Sequence, residues 1–135
     1  MTIPSAVITR QRPTRPAPAF GVVALESVVS RLEVAEQRLR EAQAAQVVLF
    51  AEALDQAAPD LYTTVRDGQV VPDRARAEIA YRTIRAELAC ALHLSEQTVE
   101  RRMQHAFQLV SSYPETMRAL EDGMISVAHT DSLWV

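Results

Sequence analysis

The sequence predicts an all-α protein: a long N-terminal amphipathic helix followed by a helix-turn-helix-like helical bundle. Three observations carry this. Only three glycines interrupt 135 residues. Apolar side chains recur at spacings of three and four, the signature of helices with one buried face. The stretch from Arg85 to Val110 holds two such helices separated by a break long enough only for a turn. Apolar residues make up 48% of the chain, enough at this length for one modest core.

The first 20 residues carry Pro4, Pro13, Pro16 and Pro18 with Arg10, Arg12 and Arg15, and no acid precedes Glu26. Proline removes helix donors and there is little here to bury, so residues 1–20 read as a disordered arm. Such an arm is either a solvated leader or a basic tail touching phosphates, and three arginines favour the leader. A long helix follows over 24–57. Leu25, Val28, Leu32, Ala35, Leu39 and Ala42 alternate spacings of three and four, a heptad seam. The seam then shifts to Ala45, Leu49 and Ala53, a stammer in the repeat. At about 1.5 Å per residue such a helix reaches roughly 50 Å, long for a domain of this size. Glu33, Glu36, Arg38, Arg40 and Glu41 give its outer faces mixed charge. The seam predicts either a homodimer through residues 25–42 or packing against later helices of the same chain.

Pro59 ends the long helix, and residues 60–72 read as a loop or short hairpin, with Asp67-Gly68 as the turn signal. Asp73 is placed to cap the next helix, which should turn Ala77, Tyr81, Ile84, Leu88 and Ala91 inward. Ala89 is the small residue where two helices approach. His93 stands where a turn needs φ > 0, a position usually filled by glycine. Ser95 caps the second helix of the pair, over 73–111 in all, and Val99, Met103, Ala106 and Val110 should face the first. Pro114 and Gly123 bracket a short helix over 114–122. Ser126 is placed to cap one more, but residues 131–135 read as a truncated tail, with Trp134 left little to pack against.

Composition excludes several chemistries. All fourteen basic residues are arginine, and neither lysine nor asparagine occurs. A Walker A loop and lysine-dependent catalysis therefore cannot be present. A single cysteine, Cys90, excludes an intrachain disulfide or a multi-cysteine zinc site, and fits a small apolar residue of a helix core. No signal-peptide core or membrane-length apolar run is visible, so a cytoplasmic location is expected. A net charge of −3 offers no global attraction to nucleic acid.

The run Glu78-Ile-Ala-x-Arg82-x-Ile84-Arg85-Ala-Glu87-Leu-Ala-x-Ala-Leu-x-Leu-Ser95-x-x-Thr98-Val99-x-Arg101 is followed by further recognisable blocks. These are Leu109-Val110, Tyr113-Pro114-x-Thr116, Ala119-Leu120-Glu121-x-Gly123, Ile125-Ser126 and Ala128-His129. Together they resemble domain of unknown function 222, the 13E12-repeat proteins of actinobacteria. The Leu39–Leu54 segment with Gln46 also resembles that family's preceding helix. The likeness spans roughly residues 22–130, and the Pro-Glu-Thr and Ala-Leu-Glu-x-Gly block is its most specific part. It implies a domain that commonly precedes an HNH endonuclease domain. No HNH catalytic residue has a counterpart here, so by itself this chain is expected not to be an enzyme. Neither a cofactor nor a small-molecule ligand is implied.

Double-stranded DNA is the partner the motif suggests. The candidate contacts lie on the outward positions of the second helix: Gln97, Arg101, Gln104 and Gln108, with Arg102 flanking toward the phosphates. Arginine and glutamine are the types that make bidentate contacts with guanine and adenine edges. Against this, Glu96 and Glu100 put negative charge at the leading end of that helix. From Asp73 to His105 six arginines face five acids, a thin balance for a phosphate-tracking surface. Cys90-x-x-His93 has ligand-like spacing but lacks the two further ligands a metal needs, so no metal site is expected. The alternative is a protein-interaction or dimerisation module that binds no nucleic acid.

Overall fold

Proline and glycine set the element boundaries. The computed structural model describes residue 2 and residues 19–131, with side chains from Gly21 onward. Expectations for the arm before residue 19 and for the tail from Ser132 lie outside those residues. The protein is mostly helical. Among the described residues, helix α1 spans Ala19–Asp55, strands β1 and β2 span Thr63–Arg66 and Gln69–Pro72, and helices α2–α5 span Arg74–Leu92, Glu96–Ser112, Pro114–Glu121 and Val127–Thr130. The described chain divides into two compact units, up to Ala35 and from Glu36 onward.

The first unit is the N-terminal part of α1, which begins at Ala19 rather than at residue 24. Its apolar residues Val22, Leu25, Val28, Val29 and Leu32 are exposed.

In the second unit, α1 ends at Asp55 because the following proline constrains the chain. Ala58, immediately before Pro59, is pushed to ψ 132°, out of the helical region. The face of α1 that enters the core is Ala44, Val47, Phe50 and Ala51, with Leu54 packed beside it. This corrects the expected continuation of the seam: Ala45 and Leu49 are exposed and Ala53 only half-buried. One residue is about 100° of helix, so a stripe displaced by one position from Ala44 looks into solvent.

β1 and β2 form an antiparallel hairpin pairing Val65 with Val70, which adds a small sheet to the all-α expectation. Asp67 and Gly68 both have positive φ, 50° and 77°, the type I′ turn whose twist suits a two-residue hairpin. The Asp73 amide donates to Tyr62 O (2.7 Å) and closes its base.

α2 starts at the expected cap, the Asp73 carboxylate accepting from Arg76 N (3.1 Å). At its other end His93 takes φ 53°, ψ 42°. Leu94 N donates to Ala89 O (3.0 Å) and His93 N to Cys90 O (3.4 Å), the pair of reversed bonds that closes a helix through one left-handed residue. Histidine tolerates that conformation at a cost glycine does not incur. His93→Gly is therefore expected to raise stability by about 0.5–1 kcal/mol, read as a higher denaturant midpoint at constant slope. An unchanged or lower midpoint would show that the imidazole makes up for its backbone strain.

Ser95 caps α3, its hydroxyl accepting from Thr98 N (3.1 Å). Val99, Met103, Ala106 and Leu109 are buried. Val110, expected inward, is exposed; three residues after Ala106 the helix has already turned Leu109 onto the core, and Val110 lies a further 100° round. On α2, Ala77 and Ala89 are buried and Tyr81, Ile84 and Leu88 half-buried, while Ala91 and Cys90 are exposed. Cys90, expected as a core residue, sits one position past Ala89 and so faces outward. α4 begins at Pro114, whose missing N–H costs nothing in a first turn, and buries Met117 and Leu120. The core thus joins one face of the C-terminal half of α1 with α3 and α4, flanked by Tyr81, Ile84 and Leu88 of α2.

Candidate nucleic-acid interface

Because α3 buries Val99, Met103, Ala106 and Leu109, helical periodicity sends Gln97, Arg101, Gln104 and Gln108 to the opposite side. All four are exposed, as is Arg102 on the flank. Gln97, Arg101, Gln104 and Gln108 therefore share one polar face, and Arg102 lies about 100° round the helix from Arg101.

The two acids that argued against a nucleic-acid surface are occupied elsewhere. Arg85 of α2 reaches Glu96 (Nη2 to Oε2, 3.3 Å) and Glu100 (Nη1 to Oε2, 3.6 Å). The Tyr81 hydroxyl donates to Glu100 Oε1 (3.0 Å), and the Arg85 guanidinium lies 5.5 Å from the Tyr81 ring centre. Burial, followed by the Glu100 carboxylate, raises the Tyr81 pKa above its ordinary value, so the phenol stays a donor. Glu96 also sits in the first turn of α3, where the helix dipole favours an anion. The carboxylates are thus directed along the flank of α3 toward α2. Sequence reasoning placed Tyr81 only as an inward-facing residue and gave Arg85 no partner; the signal was Arg85 itself, a cation on the preceding helix with two acids across the turn.

A groove of about 770 Å³ lies between the C-terminal half of α1 and α3. Arg101, Arg102, Gln104 and Gln108 line one wall, Gln43 and Gln46 the other, with Val47, Phe50 and Ala106 also among its residues. Gln97 is not among the lining residues. The expected set is therefore only partly gathered in one place, and the glutamines of α1 join it unforeseen. The Gln43 Oε1 atom is buried with no hydrogen-bond partner among the described residues. His105 borders the groove with a side chain 18% exposed, its Nε2 3.3 Å from Thr130 Oγ1 and its Nδ1 4.0 Å from Asp131. Desolvation lowers its pKa, with the Asp131 charge opposing. The imidazole accordingly contributes little positive charge near neutrality.

Among the described residues no group of three or more His, Cys, Asp and Glu side chains is placed to hold a metal ion, and no helix is long and apolar enough to cross a membrane. Comparison with protein-family models, with curated proteins and with solved structures finds no match for this chain.

Proposed function

We propose that this chain is a non-catalytic, cytoplasmic helical accessory domain that binds double-stranded DNA, with α2, the turn at His93 and α3 forming a helix-turn-helix. The observation that carries the reading is the capture of Glu96 and Glu100 by Arg85 and Tyr81. With those acids drawn to the flank, the outward face of α3 presents one cation, Arg101, and three amides, with the second cation, Arg102, exposed beside it. The resemblance to domain of unknown function 222 supports the same reading, since those domains commonly precede an HNH endonuclease domain.

The test is binding of the purified chain to mixed-sequence duplex DNA across a salt series, beside an Arg101→Ala, Arg102→Ala variant. Each lost base or phosphate contact is worth about 1–3 kcal/mol when it reads a base edge, and about 0.9 of the log–log salt slope when it neutralises a phosphate. The wild type should bind, weaken steeply with salt, and exceed the variant by roughly tenfold or more. If neither binds at low salt, the reading fails and α3 is a packing helix.

A second reading, a protein-interaction or dimerisation module, draws on the exposed apolar residues of α1.

A further inference from the structure

We propose that the groove between α1 and α3 holds the phosphodiester backbone of one DNA strand, so that α1, through Gln46, belongs to the nucleic-acid interface. The inference rests on the DNA-binding reading of α3 and adds which flank of that helix the backbone takes. Every residue it uses lies in the unit from Glu36 onward.

A helix laid in a groove of DNA has a phosphate strand on either side, so the charge of its two flanks decides how it sits. On α3 the flanks differ. The flank toward α2 holds Glu96 and Glu100 with Arg85, and one guanidinium against two carboxylates leaves that cluster negative. Arg102 lies two residues beyond Glu100, about 200° round the helix. With Arg101 it borders the groove on the α1 side. Neither arginine enters an ion pair among the described residues. Their charge is available to an anion on this flank, while the α2 flank repels one.

The rest of the groove fits a phosphate strand. Val47 and Ala106, both buried, line it, and low-dielectric walls beside cations concentrate their field at the mouth. Gln46 is exposed on the α1 wall, across from Gln104 and Gln108 of α3. Primary amides donate to phosphate oxygens and fix register without reading sequence. Asp131 is the one carboxylate among the lining residues. It lies 4.0 Å from His105 Nδ1 and leaves the two arginines in excess. An acidic peptide would also satisfy those arginines. Continuity favours DNA: Arg101, Gln104 and Gln108 line the groove and stand on the outward face of α3 as well. A strand whose bases meet that face therefore brings its phosphates to the groove.

The test uses the full chain and two unrelated mixed-sequence duplexes, with affinity read by fluorescence anisotropy across a salt series. Gln46→Arg is compared with Glu52→Gln, which makes the same change in net charge. Glu52 is exposed, about 240° round α1 from Gln46, and is not among the groove's lining residues. Both substitutions place good helix formers at exposed helix positions, so circular dichroism should show the wild-type fold for each. Gln46→Arg is expected to tighten binding to both duplexes roughly threefold or more at low salt, and to steepen the log–log salt slope by about 0.9. Glu52→Gln should leave the slope unchanged. Equal gains from the two variants would reduce the effect to net charge and overturn the groove assignment. A Gln46→Arg chain with wild-type affinity and slope would overturn it too. A gain confined to one duplex would make position 46 a reader of bases and overturn the backbone role. In each of these cases a wild type weakened by Arg101→Ala, Arg102→Ala leaves the α3 reading standing without the groove. A wild type that binds neither duplex at low salt overturns both.

Discussion

Met103→Ala is expected to lower stability by about 2–5 kcal/mol, the range for truncating a fully buried long apolar side chain. Met103 is 0% exposed, at the centre of α3, within the core that α1, α3 and α4 share. Alanine there removes the thioether and leaves a hole that helices on both sides can only partly close. Domains are stable by only about 5–15 kcal/mol, so the loss takes a large share of the total. The neighbouring residue supplies the control. Gln104 is exposed on the opposite face, and Gln104→Ala should stay within about 0.5 kcal/mol. Chemical denaturation of the pair checks this through the midpoint, with the slope unchanged for both. Equal effects of the two substitutions would mean that the inward and outward faces of α3 have been confused, and the nucleic-acid reading would fall with them.

The inward face of α3 was legible because its apolar residues obey one period and its start carries its own cap. Val99, Met103 and Ala106 follow Ser95 at spacings that admit a single stripe as far as Ala106, beyond which Leu109 and not Val110 continues it, and the cap bond forms where the sequence places it. The turn at His93 was legible for a comparable reason: the chain needs a left-handed residue between two helices, and histidine is the residue present there. α1 was harder. Its apolar residues are so numerous that two stripes are available, Ala45 with Leu49 and Ala44 with Val47. Periodicity assigns no preference between them; the partners on α3 and α4 do. Cys90 misled for the converse reason, since composition makes a lone cysteine look buried while its place one residue beyond Ala89 puts it outside.

At the candidate interface residue types and a face were legible in the sequence, and the electrostatics were not. Summing charges over residues 73–105 treats every acid as facing the same way as every base. In the structure Arg85 and Tyr81 are spent on Glu96 and Glu100, so the relevant charge is that of one helix face. The opposing glutamines were invisible too, because Gln43 and Gln46 stand fifty or more residues before the helix they face across the groove. Pairing across a turn is local and can be anticipated; pairing across a groove needs the fold.

Gly123→Ala should cost about 1–2 kcal/mol for backbone reasons alone, because Gly123 holds φ 69°, where a side chain crowds its own carbonyl. That conformation is built into the end of α4. Met124 N donates to Ala119 O (2.9 Å) and Gly123 N to Leu120 O (3.1 Å), so the left-handed residue reverses the chain and satisfies carbonyls the helix leaves open. A second cost is steric. A Cβ on Gly123 would fall on the Gln37 side-chain amide, which now donates to Glu41 Oε1 (3.2 Å). The Gly123 carbonyl also accepts from Arg40 Nη1 (3.0 Å), a part-buried contact that a shift of this turn would stretch. The backbone and steric parts separate in a double-mutant cycle. Gln37→Ala removes the obstruction without altering φ, so Gly123→Ala in that background should retain only the backbone cost, and the coupling energy reads the clash. Zero coupling would show that Gln37 swings aside freely, leaving Arg40 as the side chain that ties this turn to α1. A cost below 0.5 kcal/mol in both backgrounds, well under the price of a left-handed alanine, would show that the turn does not hold Gly123 in that conformation in solution.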